Sequence, residues 1–128
     1  MQHSKFSIKK RIKSFRYAFQ GMKTLIKEEH NARIHLLVAI CVVVLGLVFF
    51  LSLLEWIVIV FAIGFVFAME AINSSIERIA DFISSERNDK IKKIKDISAA
   101  AVLIAAFSAL IIGLIVFIPK IIIFLQKI

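Results

Sequence analysis

At 128 residues the chain has room for one domain, and with 60% apolar residues and a mean hydropathy of +0.90 it is too apolar for an ordinary soluble protein. Its net charge of +8 comes from basic residues that border apolar runs, with no base-reading motif beside them. That argues against nucleic acid and for anionic lipid headgroups or phosphorylated ligands. A single cysteine, Cys41, excludes an intrachain disulfide and a cysteine metal cluster, and inside an apolar helix it reads as a small core residue.

The first predicted element is an amphipathic helix over 5–30. Ile8, Ile12, Phe15, Phe19, Met22 and Ile26 recur at alternating spacings of four and three, while Lys9, Lys10, Lys13, Arg16 and Lys23 supply the cationic counterpart. Such a helix next to a membrane segment lies in the headgroup plane. The first long apolar run begins only at Ile34, so no cleaved signal peptide is expected.

Three spans follow, at 34–54, 56–83 and 97–118, with Glu55 and Trp56 at the first turn and a polar loop over 84–96. The expected fold is therefore all-α and integral to the membrane. Nine lysines and arginines precede Ile34 and five lie from Arg87 to Lys95, against only Lys120 and Lys127 after the third span. The positive-inside rule puts the N-terminus in the cytoplasm. Ala101, Ala105, Ala109 and Gly113 repeat every four positions in the third span, a face that lets helices approach closely. Three thin spans enclose little volume, which predicts a homo-oligomer.

The second span carries the unusual chemistry. At about 100° per residue, Glu70, Asn73, Glu77 and Asp81 fall within roughly 80° of one another on one helix face, with Ile72, Ile76, Ile79 and Ile83 opposite. Carboxylates at membrane depth are costly and mark a site or a pathway.

The motifs of nucleotide folds are missing: there is neither a P-loop nor a Gly-x-Gly-x-x-Gly sequence among only four glycines. His3, His30 and His35 have no zinc-site spacing, and His30 and His35 read as interfacial polar residues. What remains is a set of acids near a basic membrane face. Hard oxygen ligands from Glu28 or Glu29 and from Glu77 suit Mg²⁺, which binds one or two carboxylates together with phosphates. Lys92, Lys93 and Lys95 supply cations for phosphoryl transfer. Glu70, deeper than Glu77, is placed to take a proton from a hydroxyl presented by the lipid. A small oligomeric transporter with a cation or proton path along Glu70, Glu77 and Asp81 fits the same residues, whereas a non-catalytic assembly subunit held together by the small-residue face leaves the stripe unexplained.

Glu70-Ala-Ile-Asn-Ser-Ser-Ile-Glu77, then Asp81, then Lys95-Asp96-Ile-Ser-Ala-Ala-Ala-Val102 resemble the signature of the small prokaryotic diacylglycerol kinase and undecaprenol kinase family. The resemblance runs through Glu29-x-x-x-Arg33 and the basic helix over nearly the whole chain. It implies a homotrimer of three-span subunits in the bacterial cytoplasmic membrane, with active sites shared between subunits. The implied reaction uses Mg²⁺ and ATP to phosphorylate a lipid alcohol, diacylglycerol or undecaprenol. Carried over by residue, Glu70 resembles the catalytic base, Glu29 and Glu77 the metal-binding acids, and Lys95 and Asp96 the nucleotide-contacting pair. Tyr17, with Lys10 or Arg11, matches the interfacial helix on the nucleotide side. Asn73 looks like a polar active-site residue and Asp81 like a further family acid. Arg33 favours Glu29 over Glu28 as the metal ligand. Members acting on diacylglycerol can carry an acid near the position of His35.

Overall fold

The computed structural model describes residues 5–84, 86 and 88–128; His3, Ser85 and Arg87 lie outside them. Among the described residues four helices follow one another: α1 (Ile8–Glu28), α2 (His30–Val48), α3 (Leu53–Ile83) and α4 (Asp89–Gln126). The last three are long and apolar enough to cross a membrane.

Each boundary has a local cause. The Ser7 hydroxyl accepts from the Lys10 amide and caps α1. One residue, Glu29, interrupts the path from α1 to α2, with extended backbone at φ −106° and ψ 117°. It is C-cap of one helix and N-cap of the next.

The turn after α2 corrects the expected boundary. The first span does not run to Leu54, and Glu55 and Trp56 do not form the turn: α2 stops at Val48, and Leu53, Leu54 and Glu55 already belong to α3. The physical reason is a capping box, in which Ser52 accepts from the Glu55 amide while the Glu55 carboxylate accepts from the Ser52 amide at 2.8 Å. Just before it, Leu51 N–H bonds Gly46 C=O and Phe50 N–H bonds Leu47 C=O, closing a Schellman turn around Phe50 at φ 53°.

The predicted loop over 84–96 is mostly helix. Asn88 accepts from the Lys90 and Ile91 amides, so α4 starts at Asp89 and carries its lysines on helical turns. It then continues past Pro119 to Gln126.

α3 and α4 pack along their length, whereas α2 meets α3 over a shorter stretch. A small core closes the end away from the acids: Leu51, Ile59, Val116 and Phe117, flanked by Trp56 and by Phe49 edge-on to Phe117. Gly46 is required here, since a Cβ would stand 2.7 Å from the Trp56 ring. Lys120 pairs with Glu55 at 3.1 Å and ties the end of α4 to the start of α3. Most other apolar side chains face outward, including the α1 stripe at Ile8, Ile12, Phe15, Phe19 and Met22. Cys41 faces outward too and is not the core residue expected. Of the small-residue face, Ala105 is fully buried, while Gly113 has open space where its side chain would be.

Candidate active site

The acidic stripe of α3 turns inward at Glu70 and Asn73, and its members meet different surroundings. Glu70 is 2% exposed and its Oε2 has no hydrogen-bond partner among the described residues. Across from it stands the His35 ring of α2, with Nε2 3.7 Å from Oε2. Glu29 and Glu77 are near enough to act on its charge.

One turn further along α3, Asn73 is also buried, but it turns to α4: its Oδ1 accepts from the Ser98 hydroxyl at 2.7 Å. Ser74 is buried on the other flank and donates to Glu29 Oε1 at 2.9 Å. Arg78 completes that flank, with Nη2 2.8 Å from Glu28 Oε2 and 3.3 Å from Glu29 Oε1. The two acids that sequence left as alternatives therefore differ. Glu28 is the closer partner of Arg78, and Glu29 is the one held by Ser74 against α3.

Glu77 is half-buried on the stripe and Asp81 is exposed. Asp81 accepts from Lys95 Nζ across the α3–α4 hairpin. Asp96 pairs with Lys92 at 2.6 Å along α4. Lys10 and Tyr17 stand on exposed faces of α1, which packs on α2 and α3. The structure thus brings Glu70, His35, Glu29 and Ser74 together, and Asp81 with Lys95, but joins Lys10 and Tyr17 to neither group.

Ser74, Ser98 and Arg78 escaped sequence reasoning. A signal existed for one of them. Arg78 is the lone lysine or arginine between Arg33 and Arg87, inside a predicted span, and a cation there needs an acidic partner. The serines gave no such sign, because their partners lie 45 and 25 residues away.

Among the described residues, no group of three or more His, Cys, Asp or Glu side chains is arranged to hold a metal. A Mg²⁺ bound with nucleotide phosphates needs only one or two carboxylates. By donor type the carboxylates of Glu29 and Glu77 suit such an ion, and the Arg78 guanidinium stands 3.3 Å from Glu29 Oε1.

The family model described as prokaryotic diacylglycerol kinase matches residues 16–117. The undecaprenol kinase of Bacillus subtilis is 36% identical over 109 residues, covering 85% of this chain and 89% of that protein. The diacylglycerol kinase of Haemophilus influenzae is 34% identical over 96 residues, covering 73% and 80%. That of Synechocystis is 31% identical over 101 residues, covering 78% of this chain but 58% of its own length.

Proposed function

The chain belongs to the prokaryotic diacylglycerol kinase family and is a membrane lipid kinase, and from that premise we propose how its residues divide the work. The observation that carries the reading is Glu70, a buried carboxylate that faces His35 and whose Oε2 has no hydrogen-bond donor among the described residues.

In this reading the acceptor is the primary hydroxyl of a lipid alcohol, diacylglycerol or undecaprenol, and the donor is ATP. As the hydroxyl oxygen bonds to the γ-phosphorus, its O–H bond breaks and the proton passes to Glu70. The bond from phosphorus to the bridging oxygen breaks, and ADP leaves. Glu29 and Glu77 would hold Mg²⁺, which when bound neutralises phosphate oxygens. Ser74 fixes the Glu29 carboxylate, and Asn73, tied to Ser98, keeps α3 in register beside α4. Lys95 and Asp96 contact the nucleotide, with Asp81 holding Lys95.

Lys10 and Tyr17 are assigned to the nucleotide as well, on the interfacial helix. Their separation from Lys95 within one chain supports a homotrimer whose sites draw α1 from one subunit and α4 from another. The outward apolar surface of α2 to α4 accords with burial in lipid and in neighbouring subunits. By the positive-inside rule, the basic residues of α1 and of the first turns of α4 support an N-terminus in the cytoplasm of a bacterial inner membrane. A transporter gains no support, because the stripe ends in an exposed Asp81 engaged by Lys95.

The test is purified protein in mixed micelles with γ-labelled ATP and Mg²⁺, offered diacylglycerol and undecaprenol in parallel. Label enters lipid with the native protein and falls by about 10²-fold or more with Glu70→Gln. Undiminished labelling by a folded Glu70→Gln protein would remove Glu70 as the base.

A further inference from the structure

α1 is joined to the rest of the chain through one extended residue. Glu28 ends α1, and Glu29, at φ −106° and ψ 117°, is both its C-cap and the N-cap of α2. A single extended residue between two helices is a hinge, since rotation about its backbone swings the whole of α1. Packing does little to oppose that swing. None of the α1 residues is buried, and beside the hinge a cleft of about 400 Å³ opens between Gly21 and Thr24 of α1 and Ala71, Ser75 and Arg78 of α3.

One guanidinium spans that hinge. Arg78 Nη2 lies 2.8 Å from Glu28 Oε2, on α1, and 3.3 Å from Glu29 Oε1, on the link. Its Nε points to Ser74 Oγ at 3.4 Å, and that hydroxyl donates to the same Glu29 Oε1 at 2.9 Å. Both donors that reach the Glu29 carboxylate therefore end on one oxygen, and one of them also grips α1. Among the described residues, Glu28 with Arg78 is the only side-chain hydrogen bond or ion pair between α1 and another helix.

We infer that Arg78 is a positioning residue that clamps the α1–α2 hinge to α3, and so sets both the direction of α1 and the orientation of the Glu29 carboxylate. This rests on the lipid-kinase reading, in which Glu29 holds the metal and α1 carries groups that contact the nucleotide. A guanidinium suits the task because its planar fork presents several N–H groups at fixed angles, enough for two carboxylates and a hydroxyl. A lysine at position 78 offers one point charge on a flexible stem and does not reproduce the three contacts. Glu28 anchors the clamp from α1 only. Without it the guanidinium keeps Ser74 and Glu29, so the metal acid responds to loss of Arg78 more than to loss of Glu28.

The experiment compares full-length native protein, Arg78→Gln, Arg78→Lys and Glu28→Gln in micelles, with oligomeric state checked for each. The first readout is amide hydrogen exchange without metal or nucleotide. In Arg78→Gln and in Glu28→Gln the amides of 26–33 exchange about fivefold faster than in native protein, the factor that a half-exposed ion pair supports, while those of 97–118 are unchanged. The second is binding of Mn²⁺ with a non-hydrolysable ATP analogue, followed by loss of the free Mn²⁺ resonance. It weakens about tenfold in Arg78→Gln, as loss of a ligand's supporting hydrogen bond does, and by about twofold at most in Glu28→Gln. Arg78→Lys falls between native protein and Arg78→Gln in both.

Native exchange across 26–33 in Arg78→Gln would overturn the clamp, and where that variant does not assemble, native exchange in Glu28→Gln would do the same. Tighter Mn²⁺ binding by Arg78→Gln would overturn the positioning of Glu29, by showing that the guanidinium competes with the metal. Full recovery by Arg78→Lys would overturn the part assigned to the fork. Native protein that labels neither diacylglycerol nor undecaprenol would fail the underlying kinase reading instead, and the hinge measurement, made without ligands, is independent of that outcome.

Discussion

The Ser98 hydroxyl donates to Asn73 Oδ1 at 2.7 Å, and both side chains are buried. This bond joins α4 to α3 one turn from Glu70. Ser98→Ala leaves the Asn73 carbonyl without that donor and costs about 1–3 kcal/mol. Denaturant titration in detergent measures it; an unchanged midpoint would mean that water replaces the hydroxyl freely.

Glu28 and Glu29 are neighbours in sequence with different contacts, Glu28 on Arg78 and Glu29 on Ser74 and Arg78. Glu29→Gln raises the Mg²⁺ concentration needed for half-maximal activity by about 10–100-fold, as loss of a ligand or its support does. Glu28→Gln removes only the closer partner of Arg78, and its Mg²⁺ dependence stays near native. The pair is half-exposed, so its loss costs at most about 1 kcal/mol. Metal titrations of both variants decide the matter, and the reverse ranking would make Glu28 the ligand.

Two glycines on different walls respond oppositely to alanine. At Gly46 the new Cβ meets Trp56 at 2.7 Å and Leu51 at 2.9 Å, so Gly46→Ala costs about 1–3 kcal/mol. At Gly113 nothing lies within 4 Å, and Gly113→Ala gains up to about 1 kcal/mol from helix propensity. Thermal unfolding of the two proteins side by side gives the sign of each.

Phe50 holds the left-handed position of the Schellman turn, φ 53°, where glycine is the usual occupant. Its side chain is 88% exposed and packs on little. Phe50→Gly relieves a steric cost of about 1–2 kcal/mol and raises stability by a similar amount. A lower unfolding temperature would show that the ring serves instead as an anchor at the membrane surface.

Much of this organisation was legible in one dimension. The spacing of Glu70, Asn73, Glu77 and Asp81 placed them on one face, and the long apolar runs located all three membrane helices. Local chemistry hidden inside apolar or polar runs was harder to read. Glu55 taken alone suggests a turn at 55–56, whereas its pairing with Ser52 in a capping box puts the turn ahead of Leu53. The lysine-rich segment looked like a loop by composition, although Asn88 caps it as a helix. Contacts between distant segments left no local trace. Nothing near Arg78 announces Glu28, 50 residues away, and His35 reads as an interfacial residue until α3 is laid beside it.

The extension of α4 through its lysines changes how the protein meets a soluble ligand. At 1.5 Å per residue its 38 residues reach about 57 Å, well beyond a hydrocarbon layer of about 30 Å. Lys95 and Asp96 are thus borne on a rigid stalk continuous with the membrane anchor. If this pair contacts the nucleotide as proposed, the segment that carries it is helical before the ligand arrives, and ordering it adds no conformational-entropy cost to binding.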